Sequence, residues 1–385
     1  MLNRFWKLVL NALPGLTARP SRKREGTPFL VFLVPRLPPG NALFSTPFIV
    51  PRLPPGNAFC LLTWLVFHAA VGLPLAQAAD ADVVEYTTAV ASQDVWQAPQ
   101  REILRGEVRQ FDAEQLTMVD SDGTGRSIAA AQVVSVAPGW RSEAAAEAHQ
   151  AFVARNYPRV QTAVPQALKS NLVQWQQRML IAELVDATAA VGQIRQAGVY
   201  FVSLAKSQPP HMLYADMPLC WGVAEPDAAL RGQAQSWLAS DDQAARLLGA
   251  SWLLLGEQSA EARRALQQLQ ASDNAAIAQL STIQGWRLTP PPQTMSELAG
   301  WLERRDRLLP PLQLGPTEFL ADRLMRIGEH DLAIGQWMRI ASQHADRPHR
   351  VRQALQSAAA LLQRNDRALE AQRLQAWIDK LAPSD

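Results

Sequence analysis

Apolar positions change their period along this 385-residue chain. From Ile103 to Trp140 they follow a period of two. Ile103, Val108, Leu116, Met118, Ile128, Val133 and Val136 fall in short runs separated by turn residues, which predicts strands. Asp122-Gly123 marks a hairpin, and Gly125 is available for a positive φ. Four or five strands in roughly 40 residues predict a meander that closes as a small barrel, placed over residues 79–140. The preceding DVVEYTTAVASQDVWQ supplies either one more strand or a mobile segment left after cleavage.

Past Trp140 the apolar spacing becomes three and four, the period of helices. EAAAEAHQAFVARNYPRVQTAVPQALKS reads as two helices broken at Asn156-Tyr157-Pro158, with Pro158 suited to a first helical position. Residues 240–286 read as three more. Ser240 with Gln243 forms a capping box, Gly256 a stop, and Ser259 and Ser272 are candidate caps. Pro290-Pro291-Pro292 breaks the pattern, and Thr294 with Glu297 restarts it as a second capping box. LLPPLQLGP breaks it again, which places a boundary within Leu308 to Pro316. The expected organisation is an α-helical region over 141–308 and further helices over 309–385.

The N-terminal end follows different rules. Ala58 to Ala76 is a run of 19 residues without a formal charge, ending at Ala76-Gln77-Ala78. That pattern predicts a signal peptide over 58–78 cleaved after Ala78, or a membrane anchor through residues 58–76. Ahead of it, VPRLPPGNA is spelled twice, at Val34–Ala42 and Val50–Ala58. A verbatim duplication is read as repeated DNA translated from a start codon set too far upstream, a leader over 1–57 with the true start near Val50. The alternative is a pair of polyproline II ligands or a stiff spacer.

Charge separates the two parts. Up to Ala78 there are eight basic residues and one acid; the remainder carries 29 basic and 34 acidic side chains, a net of −5. A mildly acidic body lacks the footprint that phosphate backbones require, so no nucleic-acid partner is expected. Cys220 is the one cysteine after Ala78. It excludes an intrachain disulfide there and reads as a buried, inert thiol.

The last 70 or so residues carry an internal echo. GEHDLAIGQW from Gly328 can be laid over QRNDRALEAQ from Gln363 with a shift of 35, matching Asp331 to Asp366 and Ala333 to Ala368. This resembles the tetratricopeptide helix–turn–helix repeat. Gly328, His330, Ala333, Trp337 and Ile340 fall at that family's Gly, aromatic, small, aromatic and small positions. RNYPRVQTAVPQAL matches through Tyr157 and Ala167, with Val160 where Ala is usual. His330 and Ile340 depart from the family's residue types. In the β region Gly106-Glu107-Val108 and Asp112 resemble, in order, small SH3-like or Sm-like barrels. The resemblances imply a mainly α fold: a tetratricopeptide-like array behind a small all-β barrel-like unit. Tyr157, Ala167, Ala333, Trp337 and Ala368 would be its packing positions.

No phosphate loop, nucleophile elbow, zincin helix or paired C-x-x-C is present. His330, His344 and His349 lie near Asp331 and Asp346 but without ligand spacing on one helix face, so no metal or cofactor is expected. Trp175, Trp237, Trp252, Trp301, Trp337 and Trp377 sit in apolar helical patterns and read as core. HMLYADMPLCWG remains, with His211, Tyr214, Cys220 and Trp221 in a connection that lines a groove or plugs a junction between helical layers. The expected function is a non-enzymatic, exported protein of the periplasm or cell envelope that binds a protein or peptide. The alternatives are a membrane-anchored structural component and an enzyme with a site near residues 211–221.

Overall fold

Strand alternation produces a five-stranded antiparallel sheet: β1 (Asp82–Thr87), β2 (Arg101–Phe111), β3 (Gln115–Asp120), β4 (Gly125–Ala129) and β5 (Val133–Ala137). In this computed structural model residues 81–88, 100–223, 225–290, 292, 294–344 and 347–381 are described, all within one unit, Ala79–Asp385. The expected leader (1–57) and signal or anchor segment (58–78) lie outside the described residues. No helix among the described residues is long and apolar enough to cross a membrane.

The strand order is β4-β3-β2-β1-β5. DVVEYT is therefore a strand, paired to both β2 and β5. Gly123, at φ 80°, turns the β3–β4 hairpin. Gly106 has no room for a side chain, since a Cβ there would lie 2.1 Å from the Val119 carbonyl oxygen. Asp82 ties the sheet at one end, its carboxylate accepting the Val108 and Gly139 N–H groups at 2.7 Å each. Burial raises its pKa in spite of those bonds.

The expected barrel does not close. β4 and β5 are the two edges, joined in sequence by the 3-10 turn Ala130–Gln132. The reason lies in what covers the apolar face. Val84, Val108, Phe111, Leu116, Met118 and Ile128 share one hydrophobic cluster with Trp175, Phe201 and Leu213 of the helical part. Helices remove from water the surface that closure would have buried.

The rest is helical: α1 (Glu143–Val153), α2 (Tyr157–Ala167), α3 (Gln174–Ala190), α4 (Ile194–Ala205), α5 (Ala228–Leu238), α6 (Gln243–Leu253), α7 (Ser259–Leu269), α8 (Ala275–Gln284), α9 (Met295–Asp306), α10 (Leu314–Arg326), α11 (His330–Gln343), α12 (Pro348–Arg364) and α13 (Ala368–Lys380). α3 lies against the sheet. Its Trp175 Nε1 donates to the Val108 carbonyl at 3.2 Å, and Arg178 Nη1 to that of Phe111 at 2.9 Å.

Four helical hairpins turn the same corner. Between α1 and α2, α3 and α4, α10 and α11, and α12 and α13, one residue is left-handed: Arg155 (φ 61°), Gly192 (80°), Gly328 (84°) and Asp366 (59°). Each time, its N–H bonds to the carbonyl three residues back, and the next N–H to the carbonyl five back, closing the first helix in a Schellman-type stop. The second helix then begins two residues after the left-handed one.

Buried positions follow the same count. Val160, Val164 and Ala167 in α2, Ala197, Phe201 and Leu204 in α4, and Ala333, Trp337 and Ile340 in α11 occupy equivalent places. In α13 the equivalents are Ala371 and Ile378, both buried, and Gln375, which is exposed. Superposing Gly328 on Asp366 gives a shift of 38 in place of 35. Ala368 is thus an exposed first residue of α13, and Ala371 is the small packing residue.

α6 and α8 start differently. Asp242 accepts the Ala245 N–H at 2.8 Å, and Asn274 those of Ala276 and Ile277 at 3.0 and 3.2 Å. Ser240 and Ser272 are not the caps; each holds the cap residue's own N–H at 3.1 Å. Ser259 is the first residue of α7, behind an N-cap, Gln258, that makes no side-chain bond. Thr294 caps α9 through the Glu297 N–H at 3.1 Å. In the expected boundary, Pro310 and Pro311 open a 3-10 turn, and Leu308, Leu312 and Leu314 are buried.

Candidate functional site

The stretch from His211 to Trp221 enters as a 3-10 turn, His211–Asp216, and its apolar side chains leave solvent: Met212, Leu213, Tyr214, Met217, Leu219 and Cys220 are all buried. Tyr214 meets Phe201 edge-on at 5.6 Å, and its hydroxyl accepts from Asn274 Nδ2 at 2.8 Å. His211 is half-buried, and burial lowers its pKa. Trp252 Nε1 reaches back to the Pro218 carbonyl at 2.9 Å. Most of the segment fills the junction between sheet and helices.

Its far end opens onto a cleft. Arg287, in the 3-10 turn Gly285–Leu288 after α8, is only 5% exposed. Nη1 donates to the Ser251 carbonyl at 2.6 Å and to Gln284 Oε1 at 2.9 Å. Nη2 reaches the Gly222 carbonyl at 3.0 Å and Cys220 Sγ at 3.2 Å, and Nε has no partner. Among the described residues no carboxylate pairs with this guanidinium, and burial lowers its pKa. A buried cation held by neutral groups is costly to the fold, so its presence calls for an explanation.

Trp221 packs on Gly315, where a Cβ would stand 2.2 Å from the indole ring. Beside it is an open cleft of about 190 Å³. Trp221 and Phe319 form its aromatic walls, with Val223 and Leu255 at 59% and 45% exposure. Arg287, Arg323 and Arg326 supply three cations and Asp322 one carboxyl group. The Arg323 guanidinium stacks 5.0 Å above the Phe319 ring, and Nη2 reaches the Arg287 carbonyl at 3.5 Å. Burial lowers the Arg323 pKa, and Arg326 lowers it further. Burial and Glu318 raise that of Asp322 against the pull of Arg326. The guanidinium groups of such a cleft are suited to binding and orienting an anion.

The histidines are used elsewhere. On α3, Glu183 Oε1 lies 2.7 Å from His149 Nδ1, and Asp186 Oδ2 lies 3.2 Å from His349 Nδ1, the latter at ion-pair distance but not aligned as a hydrogen bond. Arg347 pairs with Asp216, and Arg350 with Glu318 (Nε–Oε1 2.6 Å). Burial opposes ionisation of Asp186, yet His349, Arg347 and Arg350 hold its pKa below the usual carboxylate range. Tyr157 packs edge-on against His349 at 6.2 Å, its pKa pushed up to about 12 by burial and Asp186. These groups are matched against one another across α1, α2, α3, α10, α12 with its N-cap Arg347, and the 211–216 turn. Among the described residues no group of three or more His, Cys, Asp or Glu is placed to hold a metal.

Of the sequence-predicted residues, the cleft takes only Trp221. Cys220 lies directly behind it on Arg287, Tyr214 and His211 belong to the junction, and Ala167, Ala333 and Trp337 are helix contacts. The residues missed were Arg287 and the face of α10 carrying Phe319, Asp322, Arg323 and Arg326. Their i, i+3, i+4, i+7 spacing was the available signal. Compared with known proteins, the chain matches no family model, no curated protein and no solved structure.

Proposed function

We propose that this is an exported, non-enzymatic helical-repeat protein of the cell envelope that binds a protein or peptide at the cleft beside Trp221. The observation that carries the reading is the shared corner of four hairpins, with the same three buried positions counted from the left-handed residue in three of them and two of the three in the fourth. That is the local chemistry a tetratricopeptide-like array needs. One residue must reverse the chain, and a residue five positions on must let the paired helices approach. The pairing of buried acids and histidines with partners on other helices fits packing. The cleft's aromatic and cationic walls fit recognition.

A photoreactive amino acid placed at Val223 or Leu255, and as controls at Ile103 or Leu369, tests this in the native host. All four side chains are exposed. A discrete protein adduct from the cleft positions alone is expected; identical patterns from all four, or none, refute the reading. N-terminal sequencing of the recovered protein should find Ala79 first. Retention of residues 58–76 in a membrane fraction would instead favour the anchored structural component.

A further inference from the structure

The cleft presents two kinds of surface at once. Its cationic side is Arg287, Arg323 and Arg326, none of which makes an ion pair among the described residues. Its apolar side is Trp221, Phe319, Val223 and Leu255. We propose that it binds a carboxylate carried directly on an apolar body, an inference that rests on the cleft being the binding site. The guanidinium groups of Arg323 and Arg326 match a carboxylate in plane and charge, while Arg287, its Nη atoms bonded to Ser251, Gln284, Gly222 and Cys220, adds charge alone. The aromatic and aliphatic walls are within reach of the same ligand only if charge and hydrophobe share one small group.

Two sources have that chemistry: a free aliphatic or aromatic acid, and the C-terminal residue of a partner chain ending in an apolar side chain. An internal Asp or Glu has the charge without the hydrophobe. A phosphate lacks the apolar body, and Asp322 in the lining opposes its dianion. The carboxyl group of Asp322 also provides an acceptor for the N–H beside a chain-terminal carboxylate.

Calorimetric titration of the full chain, processed as the host leaves it, tests the proposal. The probes are 4-methylpentanoate and phenylacetate with their amides, acetyl-Ser-Gly-Ser-Gly-Leu as free acid and as amide, and inorganic phosphate. The expected result is saturable binding by an acid, at least tenfold weaker binding by its amide, and loss of affinity with added salt. Arg326→Met and Val223→Asp, both at exposed positions, should each weaken the acid at least tenfold while melting like the parent. The series that binds more tightly identifies the source. Equal binding of acid and amide, no binding by any acid, or phosphate displacing the acids overturns the inference. Cleft adducts in the host with no acid bound would sink the carboxylate and leave the partner-binding reading intact. Acid binding without adducts would do the reverse.

Discussion

α5 and α6 approach each other backbone to backbone at Gly249. A Cβ at Gly249 would lie 2.4 Å from the Leu238 amide nitrogen, 2.5 Å from the Ala234 carbonyl oxygen and 2.8 Å from Leu238 Cα. All three are main-chain atoms, so no rotamer change relieves the clash and the helices must part. Overpacking of this kind costs about 1–3 kcal/mol, and the rigid neighbours place Gly249→Ala near the upper end. Alanine returns about 1 kcal/mol of helix propensity, leaving a net loss of about 1–2 kcal/mol. Gly232 is the internal control: it is exposed on α5, and a methyl group added there would meet nothing within 4 Å. Gly232→Ala should therefore stabilise by about 0.5–1 kcal/mol. At roughly 2–4 °C per kcal/mol for a large domain, the two variants should melt about 3–12 °C apart by circular dichroism, on opposite sides of the parent. Gly249→Ala melting at or above the parent would refute the close approach of α5 and α6.

Two further outcomes follow from the same structure. Ala333→Trp and Ala371→Trp should each destabilise by about 1–3 kcal/mol through overpacking, while Ala368→Trp, at an exposed helix start, should be near neutral; a thermal melt in which Ala368→Trp is the damaging variant would restore the shift of 35. His149 has a pKa raised above its ordinary 6.5, the Glu183 hydrogen bond and charge outweighing the burial that lowers it. Its contribution is present in full below the unfolded value and is lost as pH rises through the folded one. His149→Gln should accordingly lower the melting temperature more at pH 5.5 than at pH 8.5, and equal losses at the two values would exclude the linkage.

Much of the architecture was legible where the chemistry is local. Asp122-Gly123, Thr294 and Gly328 act within a few residues of themselves, and each sits where its turn or cap chemistry predicts, while Pro158 falls one residue inside, behind Tyr157. The failures have non-local causes. Barrel closure depended on whether another element would cover the sheet, and α3 does. α3 itself shows no apolar stripe, because Gln176, Arg178, Glu183, Asp186 and Thr188 are buried alongside its hydrophobic residues. The repeat register slipped by three residues because Asp366, not glycine, takes the left-handed position, and aligning it with Asp331 gave a false match. The cleft was hidden for a related reason. Trp221, Arg287 and Phe319 come from distant segments, and each alone reads as core or solvated surface.

A chain made only of stacked hairpins unfolds piecewise, since each unit contacts its neighbours alone. Here the start of α12 is tied back to the first half of the body. Arg347 pairs with buried Asp216 across 131 residues, and His349 lies beside Asp186 of α3. α3 in turn bonds the sheet through Trp175 and Arg178, so a local opening at α12 exposes charges at the centre of the unit. Breaking a buried ion pair by removing one partner costs about 3–5 kcal/mol. Arg347→Met should therefore raise amide exchange together in α3, in the 211–216 turn and in the hairpins over 314–380. Faster exchange confined to 314–380 would mean that the terminal hairpins open on their own and that these long-range pairs carry no cooperativity.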